Sequence, residues 1–296
     1  MNSGLSEAAV SDSKRVRSFR RAITKAIPIR PDDRATRERF AQLPLPSQLV
    51  HYLEWLQRFV PPRPREVVIE TPMDGHPRWP ELKDCLEELL AKVRTGADVN
   101  RHLGERIARG YSPAASGLWD DRDFLLTVTG YRHFHLGRGE RTRGGFTERQ
   151  NDVLFADISS DRFVALGIFD HSVFRDPSCG PQTADQRRFW SMHENRRSRQ
   201  VPPGAVYFDV GITTSGRCIG LVNLADAYAR QIHQLDPLLD DRAFVAQLYE
   251  ECPRDVPRRP KFSWAFRDLD LALLERTGRS AFIIPKAAGV ARHMED

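Results

Sequence analysis

Two histidines separated by one residue lie in a segment whose side chains could do acid–base chemistry. Residues 131–136 read Tyr-Arg-His-Phe-His-Leu, within a stretch rich in β-branched and aromatic residues that favours an extended strand. On a strand, side chains at i and i+2 share a face and stand about 7 Å apart. His133 and His135 should therefore project together. Because imidazole exchanges protons near neutral pH, the pair could divide acid and base roles or bind one metal ion.

A third histidine follows the next predicted strands. The apolar runs 152–158 and 162–171 are separated by a Ser-Ser-Asp turn, which predicts a β-hairpin whose second strand ends at His171. In an antiparallel meander, His171 at this strand end would lie near the histidine pair across the sheet. We therefore take His133, His135 and His171 as the candidate catalytic residues.

Three interpretations of these histidines stay open at the level of sequence. They could pack and hydrogen-bond on a sheet face, they could serve catalysis or nucleic-acid binding, or they could ligate a metal. No carboxylate or cysteine stands at ligand spacing around the pair, so we predict no metal ion and no other cofactor. The scattered cysteines show no CxxC spacing, which indicates neither a zinc ribbon nor a disulfide framework; they are Cys85, Cys179, Cys218 and Cys252.

The loop between the histidine strand and the hairpin is rich in glycine and arginine. Its cations are the candidate nucleic-acid-binding residues, Arg138, Arg141, Arg143 and Arg149. Guanidinium groups and backbone N–H donors of such a loop suit phosphate. The alternative is a solvated hairpin loop, since no Gly-Lys-Ser/Thr follows as in a phosphate-binding loop.

The remaining periodicity predicts helices before the histidine strands and mixed elements after them. We expect helices at 47–60, 80–94, 98–109, 183–197, 219–233, 240–251 and 264–276, and further strands at 205–212 and 281–285. This order indicates an α+β fold, with helices preceding an antiparallel β-meander and a further mixed α/β C-terminal portion.

Charge and composition suggest how the chain is organised. The net charge is +5, and between Lys14 and Arg39 ten basic residues stand against three acidic ones. This cluster is typical of a solvated helix face or of an arm that follows phosphates. We predict a basic, partly disordered arm at 1–40, a helical region at 41–110 and an α+β domain at 111–296.

The same composition bears on location. A hydrophobic content of 40% is enough to bury a core. No run approaches the roughly 20 apolar residues of a membrane-spanning helix, and the first residues lack the apolar core of a signal peptide. We expect a soluble, cytoplasmic protein without a membrane partner.

The histidine segment and the hairpin together resemble a known toxin superfamily. Tyr-Arg-His-Phe-His-Leu, a loop, Asp-Val-Leu-Phe-Ala-Asp-Ile, a tight turn and Arg-Phe-Val-Ala-Leu-Gly-Ile-Phe-Asp-His look like the strand meander of the RelE/ParE-type toxins. In that superfamily helices precede a small curved antiparallel sheet whose last strand ends near a basic or histidine residue. The resemblance covers roughly 80–175 and is topological in kind.

This resemblance implies ribonuclease chemistry. RNA would bind a basic concave face, and the ribose 2′-OH would attack the adjacent phosphate. His133 or His135 would act as base and His171 as acid, while Arg143 or Arg149 would hold the phosphate. The implied partners are nucleic acid, RNA rather than DNA, and a protein antitoxin.

We therefore expect nucleic-acid-directed phosphodiester cleavage by a toxin or defence-type protein. The first alternative is a non-enzymatic nucleic-acid-binding or regulatory protein that uses the basic segment 14–39 and the loop 137–149. The second alternative is a metal-dependent enzyme that uses His133 and His135 as ligands.

Overall fold

Two four-stranded sheets, each with its own helices, organise the chain. The computed structural model describes residues 12–113, 123–137, 151–176, 179–199, 201–202, 205, 211–250, 252–285 and 292–293. The chain divides into two units, one formed by 57–220 and the other by 1–56 together with 221–296. These units do not coincide with the divisions at 40 and 110 that composition suggests. Within the described residues, eight α-helices and two sheets confirm the α+β class.

The histidine-bearing sheet belongs to the 57–220 unit. Its strands are β1 (Glu66–Ile69), β2 (Arg132–His135), β3 (Asp152–Ile158) and β4 (Arg162–Asp170), in the order β1-β4-β3-β2. β2, β3 and β4 form the expected antiparallel meander. β1 joins the free edge of β4 in parallel, which makes the sheet mixed.

Alternation along the strands separates the two faces of this sheet. Phe134, Leu154 and Phe163 are fully buried on one face, in a cluster with Leu86 of helix α4 (Trp79–Thr95). Neighbouring strand residues turn to the opposite face and pack against helix α6 (Ala184–Ser198) through another cluster that includes Phe155, Phe169 and Phe189. The sheet is therefore covered by a helix on each face, and the odd-numbered side chains of β2 lie on the α6 side.

Several predicted helices are confirmed within a few residues. Helix α3 spans Leu45–Leu56, α4 and α6 match the predictions at 80–94 and 183–197, α7 spans Ile219–Leu235 and α8 spans Arg242–Leu248. α4 ends at Gly96, whose φ of 75° is left-handed. A Cβ atom at this position would lie 2.5 Å from the Pro64 nitrogen. Glycine is therefore required there on both conformational and steric grounds.

Two other predicted helices are wrong. The segment 98–109 forms two short 3₁₀ turns, Asn100–His102 and Glu105–Ala108, because Leu103 between them is extended. The segment 264–276 instead forms the hairpin of β5 (Phe262–Arg267) and β6 (Asp270–Glu275). Asp268, at a φ of 53°, makes the turn, a conformation that aspartate tolerates.

The segment directly before the histidine strand is helical, although its β-branched and aromatic residues favour an extended strand. Residues Phe124–Thr129 form a short helix, α5, before β2 begins. Asp123 caps it by accepting the Leu126 N–H at 3.0 Å, and Gly130 ends it with a left-handed φ of 78°. Most of the strand predicted at 205–212 lies outside the described residues.

The second unit carries an antiparallel sheet in the order β5-β6-β7-β8, where β7 is Ser280–Ile283 and β8 is Arg292–His293. Helix α1 (Lys14–Ala26) packs on β5, with Phe19 and Phe266 in ring contact at 5.7 Å. None of the described helices in either unit is long and apolar enough to cross a membrane.

The basic segment 14–39 folds into helices within this unit, while residues 1–11 lie outside the described part. α1 is followed by α2 (Arg34–Gln42). Several of the guanidinium groups bind nearby carboxylates: Arg15 contacts Asp236 and Asp240, Arg20 contacts Asp12, Arg34 contacts Glu38 and Arg37 contacts Asp32. Part of the expected phosphate-binding charge is therefore compensated within the protein.

The buried carboxylate of Asp236 gives a test of this unit. It accepts hydrogen bonds from Arg15 Nε at 3.0 Å and from the Trp264 indole at 2.8 Å. We expect Asp236→Ala to lower the free energy of unfolding by roughly 2–4 kcal/mol, because it leaves two donors unpaired. The measurement is the urea midpoint.

Asp240→Ala is the matched control. Asp240 binds the same arginine but is 74% exposed, against 4% for Asp236. Its loss should cost less than about 1 kcal/mol. If both variants lost the same free energy of unfolding, burial would not explain the contribution of Asp236.

Candidate functional site

A cavity of about 540 Å³ lies beside β2, the edge strand of the histidine-bearing sheet. This volume falls in the range of roughly 300–1,000 Å³ that small-ligand pockets occupy. The described residues that line it belong to the 57–220 unit: Arg58, the segment 103–107, the start of α5, β2, the segment 171–176 and α6.

The structure brings the three candidate histidines together in this cavity. The ring centroids of His133 and His135 are 5.9 Å apart, and those of His135 and His171 are 5.4 Å apart. All three residues line the cavity. His135 stands between the other two, so a ligand in the cavity can meet two imidazoles at once.

A carboxylate orients the first imidazole. His133 Nδ1 lies 3.3 Å from Asp123 Oδ2, while the other carboxylate oxygen caps α5 through the Leu126 N–H. This contact directs the Nδ1 proton of His133 towards Asp123, which leaves Nε2 as the atom that can exchange a proton with a ligand. The arrangement is a carboxylate–histidine dyad.

The electrostatics of Asp123 agree with this pairing. Burial, the largest influence, raises the pKa of Asp123, whereas the charge and hydrogen bond of His133, the Leu126 N–H and the Arg58 guanidinium lower it. The net result is a pKa below the ordinary aspartate value. Asp123 is therefore a carboxylate at neutral pH.

Gly104 lies beside the Nε2 atoms of two of these histidines. A Cβ built on Gly104 would lie 3.4 Å from His133 Nε2 and 3.8 Å from His135 Nε2. Both Nε2 atoms therefore approach the same stretch of backbone. The missing side chain leaves space beside the two nitrogens.

A fourth histidine, His102, contacts the backbone of β2 at His135. His102 is buried, its Nδ1 lies 3.2 Å from the His135 carbonyl oxygen, and its Nε2 lies 3.2 Å from Lys92 Nζ. Burial is the main cause that lowers the pKa of His102, and the nearby Lys92 charge lowers it further. A neutral ring that donates from Nδ1 and accepts at Nε2 satisfies both contacts. His102 thus fixes the backbone of His135.

The third histidine is held by contacts to α6. Asp170 caps the 3₁₀ turn His171–Phe174 by accepting the Ser172 N–H at 2.8 Å, and its own N–H donates to Asp185 at 2.6 Å. Gln186, buried in α6, donates to the Arg175 carbonyl oxygen at 2.7 Å. The segment that carries His171 is therefore fixed at both ends.

Charged residues of both signs line the cavity: Arg58, Arg132 and Arg175, and the acidic Asp123 and Asp176. Arg132 donates from Nε and Nη2 to the Gln57 carbonyl oxygen at 3.0 and 2.5 Å. Burial lowers the pKa of Arg132 to about 10, with Arg65 contributing, so the group stays charged at neutral pH.

The structure does not describe the predicted nucleic-acid-binding residues. Arg138, Arg141, Arg143 and Arg149 lie outside the described residues. Within the part of the chain that the structure describes, no group of three or more histidine, cysteine or acidic side chains could hold a metal ion.

The sequence did not identify Asp123, Gly104, Arg58 or Arg132 as residues of this cavity. One signal was present for Asp123, since an aspartate before Phe-Leu-Leu-Thr-Val-Thr-Gly is typical of a helix N-cap. Nothing in the sequence pairs this aspartate with His133, because α5 and a turn separate the two residues.

We compared the chain with known protein families, curated proteins and solved structures. No family model, no curated protein and no solved structure matches the chain. The resemblance to the RelE/ParE-type toxins therefore stays a prediction.

The Asp123–His133 contact predicts a stability difference that depends on pH. Asp123→Asn keeps an oxygen for the Leu126 N–H but removes the charge. At pH 7 we expect the variant to be less stable by about 1–3 kcal/mol. Because the folded pKa of Asp123 is depressed, the wild-type advantage is complete above the unfolded pKa of about 3.9 and disappears as the pH falls through the folded value.

The measurement is the unfolding free energy of both proteins at several pH values from 7 down to 3. The two curves should converge on the acidic side. A difference that stays constant across this range would show that the carboxylate charge does not stabilise the fold.

Proposed function

We propose that the protein cleaves RNA phosphodiester bonds by histidine acid–base catalysis. The observation that carries this proposal is the Asp123–His133 dyad next to His135 and His171 in one arginine-lined cavity. Hydrolytic or transesterification chemistry at a phosphate needs a base, an acid and positive charge near the oxygens. The cavity supplies all three from a single unit.

The dyad favours His133 over His135 as the base. His133 Nε2 accepts the proton of a ribose 2′-OH as the 2′-oxygen attacks the adjacent phosphorus, and Asp123 stabilises the resulting imidazolium. His171, as an imidazolium, donates a proton to the departing 5′-oxygen. The products are a 2′,3′-cyclic phosphate and a free 5′-hydroxyl, so no water enters this step.

The spacing of the imidazoles suits such a reaction. The attacking and leaving oxygens lie on opposite sides of the phosphorus, so base and acid must stand apart. His133 and His171 flank His135, whose ring is 5.9 and 5.4 Å from theirs. His135 is then placed between them, where it can donate to a non-bridging phosphate oxygen.

The wider hypothesis of a growth-arresting toxin or defence protein goes with this chemistry. α4 precedes the β2-β3-β4 meander, and His171 follows β4 directly, which is the order that the resemblance to RelE/ParE-type toxins implies. RNA is favoured over DNA because the 2′-hydroxyl is the nucleophile. Arg143 or Arg149 is proposed to hold the phosphate, and a protein antitoxin is the proposed partner.

Both alternatives receive less support from the described residues. A non-enzymatic role for the segment 14–39 is weakened because Arg15, Arg20, Arg34 and Arg37 bind carboxylates of the protein. A metal site built on His133 and His135 lacks a third ligand among the described side chains.

Cleavage of a single-stranded RNA oligonucleotide tests the catalytic roles. We expect His133→Ala and His171→Ala each to lower the cleavage rate about 10²- to 10⁴-fold, since each removes a proton-transfer group. The rate of the wild-type protein should show a bell-shaped dependence on pH. The assay follows the appearance of 2′,3′-cyclic phosphate ends.

Two controls accompany this experiment. His233→Ala removes an exposed histidine of the other unit and should leave the rate unchanged. The same oligonucleotide with 2′-deoxyribose should resist cleavage. Undiminished rates in both His133→Ala and His171→Ala would refute the proposed mechanism.

Expression in a bacterial host tests the toxin hypothesis. We expect the wild-type protein to slow growth and the variant with alanine at His133, His135 and His171 to relieve this effect at equal protein levels. Growth curves and immunoblots give the measurement. Full toxicity of the triple variant would show that the three histidines do not cause the toxicity.

A further inference from the structure

Three aromatic side chains form part of the cavity wall without belonging to the proposed proton-transfer machinery. We call Phe124, Phe174 and Trp190 the aromatic rim; all three line the cavity and all are partly or largely accessible. Phe174 is 38% exposed, one of seven large hydrophobic side chains in the described residues that are exposed. Its place beside the histidines distinguishes it from an apolar side chain scattered on the surface.

The contacts of Phe174 hold its ring next to the reactive groups. Its centroid lies 4.8 Å from that of His133 and 5.6 Å from that of His171. On its inner side the ring meets Phe155 of β3 at 5.8 Å. Phe174 therefore spans the distance between the buried aromatic cluster and the mouth of the cavity.

The rest of the rim is built on a rigid base. Trp190 of α6 contacts Phe124 at 6.4 Å and the fully buried Phe189 at 5.4 Å. Phe124 opens α5, directly after Asp123. The rim thus surrounds the same space into which the Asp123–His133 dyad faces.

We propose that the aromatic rim binds an unpaired nucleobase of the substrate, with Phe174 as the stacking surface. The inference rests on the proposed function for the identity of the ligand. A nucleotide combines a planar π-system with an anion, and the lining of the cavity combines these flat rings with Arg58, Arg132 and Arg175, beside the acidic Asp123 and Asp176. Because a base within a duplex is already stacked on both sides, the substrate must be single-stranded at this position.

Phe174 is then a substrate-binding residue that takes no part in proton transfer. Base–aromatic stacking accepts every base, since each has a π-face. Phe174→Leu keeps an apolar side chain of similar size but removes the ring. Phe174→Tyr keeps the ring and should retain stacking.

Binding of two trinucleotides that cannot react tests this proposal. One is a single-stranded deoxyadenosine trinucleotide and the other is an abasic trinucleotide of equal charge, neither of which carries a 2′-hydroxyl. We expect the wild-type protein to bind the base-bearing trinucleotide more tightly, and Phe174→Leu to weaken that binding about 5- to 150-fold with little effect on the abasic one. Titration calorimetry gives the dissociation constants.

Matched variants make the result specific. Phe174→Tyr should bind like the wild type. Ile69→Ala removes another exposed apolar side chain of the same unit and should change nothing. Equal affinity of the wild-type protein for the two trinucleotides, or equal weakening of both in Phe174→Leu, would overturn the base-binding role.

The binding experiment separates this inference from the proposed function. RNA cleavage by a protein that does not distinguish the two trinucleotides would support the catalytic proposal and refute the rim as a base site. Discrimination without RNA cleavage would support the rim and refute the catalytic proposal.

Discussion

The burial of Phe134 is the constraint on which the site depends. Phe134 is fully buried against Phe163, with ring centroids 5.4 Å apart, on the α4 side of the sheet. Side chains alternate along a strand, so this burial sends His133 and His135 to the opposite face. A shift of β2 by one residue would take Phe134 out of this cluster and turn the two imidazoles towards it, and both changes are unfavourable.

The proposed proton chemistry depends on what surrounds each imidazole. His133 meets the Asp123 carboxylate, the backbone of His135 is held by His102, and His171 stands on a turn that α6 fixes. These are three different environments for one residue type. Differences of this kind allow neighbouring titratable groups to take separate acid and base roles.

The candidate site lies in one of the two units. The cavity, the dyad and the aromatic rim all belong to 57–220. In the other unit, basic side chains such as Arg15 serve contacts within the fold, where Asp236 also binds Trp264. A cluster of positive charge in the sequence thus has a structural use here, because a carboxylate nearby in space can be far away along the chain.

Local patterns determined much of the element content. The amphipathic periods of α4 and α6 and the hairpin of β3 and β4 could be read from the sequence, since side-chain periodicity and turn residues specify these elements locally. The same patterns selected His133, His135 and His171. The hairpin of β5 and β6 was misread as a helix because short apolar runs satisfy both periods.

Only the tertiary structure decided which residues meet. The pairing of Asp123 with His133, the approach of Gly104 to both Nε2 atoms and the parallel addition of β1 to β4 join residues that are distant along the chain or separated by a turn. Such contacts arise from the packing of whole elements, which no local spacing encodes. The sequence therefore identified the chemical groups, and the fold supplied their geometry.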